Sequence, residues 1–214
     1  MLENEFASFR VLFDMDEGRF NEWYVPKFGS QRFRALCGLT FWPYTSMNVS
    51  YVVIGSALAP VILWDRVAIV AVIFVLALGV SGHALDALQS KVKPWGTYLS
   101  TRQLWALAAG ALVPALLLGG FYAVFHAPLL WAFGVAEIFF LFAYNLEWFK
   151  GRFHTDGWFA FSWGFLPTSV GYVFQTNSLS ILVLIVSTAT AAMAFAQIKS
   201  SRPYKEIKRK TQIS

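Results

Sequence analysis

Charge is what this chain has least of. Only 14% of its 214 residues are Asp, Glu, Lys or Arg, and Ala35 to Trp64, Val67 to Leu85, Gln103 to Ala136 and Gly157 to Ile198 hold none. A soluble domain of this size needs a charged surface that is missing here. Thiols are as scarce. Cys37 is alone, which excludes an intrachain disulfide, a Cys-x-x-Cys pair and a thiolate metal cage. Three histidines are too few for the histidine-rich iron site of a membrane oxidase or desaturase. The first 25 residues are acidic and aromatic with no unbroken apolar core, so no cleavable signal peptide is expected and the first apolar run should itself direct the chain to a membrane.

What is abundant is apolar: 57% of residues are hydrophobic and 18% aromatic. About 20 residues of helix cross about 30 Å of hydrocarbon, so each uncharged run is long enough to span a bilayer, and the two longest must each fold back once. His126-Ala127-Pro128 and Gln175-Thr176-Asn177-Ser178 supply the turns. The expectation is an all-α, polytopic membrane bundle of about six transmembrane helices, near 39–63, 67–87, 103–125, 129–148, 157–175 and 179–199. Residues 1–34 read as a cytoplasmic or interfacial amphipathic segment, 35–199 as the transmembrane domain and 200–214 as a basic cytoplasmic tail on anionic lipid.

Lysine and arginine are retained on the cytoplasmic side. With both termini cytoplasmic, sixteen of the seventeen fall on that side, and only Arg66 lies opposite. The net charge of +5 is then a topology and anionic-lipid signal; the basic residues are spread over loops and tail, so nucleic acid is not an expected partner.

Two polar stretches interrupt this pattern, Gly82-His-Ala-Leu-Asp86 and Tyr144-Asn-Leu-Glu-Trp-Phe-Lys-Gly-Arg-Phe-His-Thr-Asp156. Residues three apart share a helix face, so His83/Asp86 and Tyr144/Glu147 each read as a polar pair at a cytoplasmic helix mouth. His83 and Asp86 fit metal ligands, a general base with its orienter, or a plain hydrogen-bonded helix end. Glu147, His154 and Asp156 alternate with Lys150 and Arg152, which suits a metal-bridged diphosphate and equally an ordinary basic loop. Carboxylates alone favour Mg²⁺, whereas His154 admits Mn²⁺, Fe²⁺ or Zn²⁺. The metal ligand candidates are thus His83, Asp86, Glu147, His154 and Asp156, and the two stretches are expected to approach one another.

Glu137 falls in mid-helix, where a lone carboxylate costs about 2.5–3.5 kcal/mol. It is expected to face the bundle interior, protonated or paired, with Asn48, Thr45 or Ser46 as candidate partners; Tyr144 follows two turns later on the same face.

Phe-Trp-Pro-Tyr-Thr with Val-Ile-Gly-Ser-Ala-Leu-Ala in the first apolar run, Gly-His-Ala-Leu-Asp-Ala-Leu after the second, and the Tyr144–Asp156 stretch together resemble the UbiA superfamily of intramembrane prenyltransferases, over about residues 38–198. The resemblance implies a helical barrel in which two acidic cytoplasmic motifs hold Mg²⁺ and a prenyl diphosphate. Laid on the family's first motif, His83 and Asp86 fall on its first two Asp positions, with Gly82 and Ser90 at its ends; Glu147 and Asp156 lie in the region of the second. So read, Asp86, Glu147, Asp156 and His83 are catalytic, and Lys91, Lys93, Lys150, Arg152, Tyr144, Asn48 and Glu137 contact an isoprenoid or other lipid substrate. The alternative is a non-catalytic membrane subunit, or a lipid- or quinone-binding protein, on the same scaffold.

Overall fold

The computed structural model describes residues 20–89, 95 and 98–213, with side chains as far as Ser201. Lys91, Lys93, Ser90, residues 1–19 and the side chains of the basic tail lie outside them. Among the described residues every regular element is helical. Helix α1 is Gln31–Leu39 and α2 is Trp42–Ala57. Helix α3 is Trp64–Gln89, α4 is Thr101–Phe125 and α5 is Leu130–Asn145. Helix α6 covers 156–176 and α7 is Ile181–Ile213.

Among the described residues three helices are long and apolar enough to cross a membrane: α3, α4, and Ile181–Ser201 of α7. Only 22% of the spanning window of α4, and of α7, is buried within the protein. Many of their outward side chains, such as Leu117 and Ile185, are apolar and suit lipid rather than water.

The chain breaks where local chemistry says it should, with two differences from the sequence expectation. The first apolar helix ends at Ala57 instead of reaching residue 63, because Pro60 biases Ala59 away from helical backbone and residues 58–63 turn. The second starts three residues early, at Trp64, since Asp65 is favourable in a first turn. Arg66, the basic residue set apart by topology, donates to the carbonyls of Phe174 and Gln175 at 3.1 and 3.3 Å and so covers the end of α6. At the same end Asn177, in left-handed conformation, receives the Leu129 amide on its side-chain oxygen and holds the start of α5.

Helix α6 is the central post. A Cβ on Gly171 would collide with the Val52 carbonyl, and one on Gly55 with the Thr168 carbonyl, so α2 and α6 touch backbone to backbone. Ser56 donates to the Gly171 carbonyl across that seam. Gly164 presses on Thr190 and Ala191 of α7, where Thr168–Thr190 (2.7 Å) and Ser169–Ser187 (2.9 Å) hydroxyl pairs are buried. Small residues with buried hydroxyl bonds are how helices associate when lipid offers no hydrophobic drive.

Two helices widen into π turns, Val75–Gly82 in α3 and Phe161–Phe165 in α6. Below them the chain from Phe20 folds under the bundle. Arg34 donates to the Phe20 and Pro26 carbonyls, and the Phe20 ring packs edge-on against Trp95 and Tyr98.

Candidate functional site: an apolar cavity beside an aromatic end

Helices α3, α4 and α5 splay apart over α6 and leave a cavity of about 400 Å³. Its wall is apolar, from Ile73 and Leu78 through Leu116 to Phe133, with Phe174 of α6 at the back. The volume is that of a small-molecule site. Along α5 the lining runs from Leu130 to Leu141, which at about 1.5 Å per residue is about 16 Å of depth. Three glycines in the wall, Gly119, Gly120 and Gly134, have nothing within 4 Å of where a Cβ would stand. Unlike Gly55 and Gly171, they serve no close approach; what their missing side chains provide is room.

Among the described residues that line the cavity, Glu137 alone is ionisable. Its Oε1 is shielded from solvent and has no hydrogen-bond partner. The expected interior position is therefore found, but the expected partners are engaged elsewhere. Thr45 donates to the Thr40 carbonyl, Ser46 to that of Trp42, and Asn48 to that of Trp163. Each of those residues lies on α2, whereas the cavity is walled by α3 to α6.

One end of the bundle carries the polar stretches. His83 follows the π turn of α3, with its ring against Phe41 (5.8 Å between centroids) and Trp163 (5.4 Å). Its Nε2 is buried without a partner, as are Asn48 Oδ1 and Ser81 Oγ. His154 Nδ1 donates to the Tyr144 carbonyl at 3.0 Å and its ring stacks on Tyr144 at 4.5 Å. Between the two histidines the rings run Trp163, Phe159, Tyr144, with centroid separations of 5.4 and 6.0 Å. Aromatic packing thus fills the space in which a shared cation would sit.

The carboxylates are spread around this end. Asp156 is paired with Lys199 of α7 at 3.0 Å, and Asp86 is exposed. Glu147, Lys150 and Arg152 are exposed on the loop after α5. Glu147 does not share a helix face with Tyr144: α5 ends at Asn145, and Glu147 itself is left-handed at φ 51°. Phe149, Lys150 and Gly151 follow at φ 55°, 60° and 76°, so the loop turns the opposite way to the helix it leaves. Among the described residues no three His, Cys, Asp or Glu side chains come together as a metal site. His83, Asp86, Glu147, His154 and Asp156, expected to share a metal, are thus not gathered into one site among the described residues. The sequence signalled Glu137 and Asn48 but not the cavity, whose lining apart from Glu137 is apolar residues and glycines like those of other helix faces.

No protein-family model matches the chain, and neither a curated protein nor a solved structure matches it.

Proposed function

We propose that the chain is a multi-pass membrane protein that binds an isoprenoid or similarly long apolar lipid in the cavity between α3, α4 and α5. Its six apolar helices, α2 to α7, cross or enter the bilayer, with both termini cytoplasmic; the sixteen-to-one partition of Lys and Arg supports that orientation. The observation that carries the binding role is the glycine-widened, almost wholly apolar cavity, whose volume matches a ligand site. Such a protein holds or presents a lipid, alone or as one subunit of a membrane complex. The test is binding of a fluorescent C20 isoprenoid to the protein in nanodiscs. Gly119→Leu with Gly134→Leu fills empty space without touching a packed seam, and is expected to weaken binding at least tenfold with the helical content unchanged. Equal binding by the filled variant would reject the reading.

Prenyl transfer is the second reading. The resemblance of the polar stretches supports it, and so does their position at one end of the bundle beside Lys150, Arg152 and Lys199. It requires metal-dependent release of diphosphate from a prenyl diphosphate, and Asp86→Asn and Glu147→Gln then abolish release while the protein stays folded. Unchanged release in both variants, or no metal and no prenyl diphosphate binding in the parent protein, counts against it.

A further inference from the structure

Glu137 interrupts a wall that would otherwise be hydrocarbon, and it does so partway down the cavity. From Leu130 at one limit of the lining it is seven residues away, about 10 Å along α5, and Leu141 at the other limit is one turn further. A carboxyl group kept at this depth is costly unless something bonds to it. Among the described residues no side chain does: Oε1 is buried without a hydrogen-bond partner, while Thr45 and Ser46 bond to nearby backbone and Asn48 to the Trp163 carbonyl of α6. That leaves Oε1 available to a group on a molecule held in the cavity.

The chemistry of that group follows from the carboxyl. Ionised, the carboxyl only accepts, and protonated it accepts on one oxygen and donates from the other, so the head that matches it in either state is one that both donates and accepts. A diphosphate or carboxylate head offers only acceptors and negative charge, and among the described residues the cavity lining has no Lys or Arg to offset it. An ammonium donates, but taking it into this lining strips its hydration, which costs far more than for a neutral group. A hydroxyl donates at the smallest desolvation cost. We propose that Glu137 makes the cavity selective for a neutral apolar lipid bearing a hydroxyl group, a prenol-type alcohol, with the hydroxyl donating to the Glu137 carboxyl and the hydrocarbon lying along Ile73, Leu116 and Phe133. This rests on the lipid-binding reading of the same cavity and adds the identity of its head.

The experiment compares a C20 prenol, its methyl ether and its diphosphate as ligands of the full chain in nanodiscs, with Glu137→Leu and the Gly119→Leu/Gly134→Leu variant beside the parent. The expected result is that the parent binds the alcohol about tenfold tighter than the ether, equivalent to about 1.4 kcal/mol, and the diphosphate more weakly than either. Glu137→Leu should level alcohol and ether while keeping ether affinity, and Glu137→Gln, which retains an acceptor oxygen, should keep a preference for the alcohol. Equal binding of alcohol and ether by the parent, both lost on filling the cavity, overturns the role of Glu137 and leaves the cavity as a lipid site. Binding of neither, or binding indifferent to cavity filling, overturns both.

Discussion

At Gly171 a Cβ would run into the Val52 carbonyl and the Ser56 amide, whereas at Gly119 it would meet open cavity. The same residue type thus closes one interface and holds another space open, and substitution separates the two. Gly171→Ala should destabilise by about 1–3 kcal/mol, toward the upper end because the obstacle is backbone and cannot rotate away. Gly119→Ala should be neutral or stabilising by up to about 1 kcal/mol, since alanine favours helix and nothing is displaced. Thermal unfolding in detergent measures both, and a similar loss at the two sites would mean that α4 packs more tightly than described. The Asp156–Lys199 pair invites a smaller expectation. Lys199 is 56% exposed, so solvent screens the pair and Lys199→Ala should cost under about 1 kcal/mol. A larger loss would mark Asp156 as part of a network beyond this pair.

The all-helical, apolar character and the turns at His126-Ala127-Pro128 and around Asn177 were legible in the sequence, because uncharged runs and turn chemistry act over a few residues; of the six expected spans, three are long and apolar enough among the described residues, and α1 was not expected. Boundaries were less so. Pro60 shortened α2 and Asp65 lengthened α3 through local effects of one or two residues. What could not be read was how helices meet. The spacing of Tyr144 and Glu147 implies a shared face only while the helix continues, and it stops at Asn145. The π turns beside His83 and Trp163 and the ring chain from His83 to His154 depend on partners distant in sequence. The left-handed loop after α5 belongs to the same class: Gly151 hints at it, but Glu147, Phe149 and Lys150 do not. A non-glycine residue there carries about 1–2 kcal/mol of strain. Lys150→Gly should therefore stabilise the protein by about 1 kcal/mol in thermal unfolding; destabilisation would show that the lysine side chain holds the loop.

For the whole molecule, the central post α6, the apolar exteriors of α4 and α7 and the cavity between α3, α4 and α5 combine into one physical account. Close helix contacts at Gly55, Gly171 and Gly164 hold α6 to α2 and α7, and the cavity lies where α6 faces α3, α4 and α5; on the reading proposed above, that is where a lipid binds. The orientation is testable with single cysteines in a Cys37→Ser background: Lys150→Cys should react only from the cytoplasmic side and Asn177→Cys only from the opposite one. Labelling of both from the same side would reverse the membrane reading of α6. The claim that the cavity is a lipid site is tested most directly by photo-crosslinking an isoprenoid that carries a diazirine, followed by peptide mapping. The account predicts adducts on Ile73, Leu116 and Phe133 that disappear in the Gly119→Leu/Gly134→Leu variant, while adducts confined to outward side chains such as Leu117 and Ile185, unaffected by filling the cavity, would contradict it.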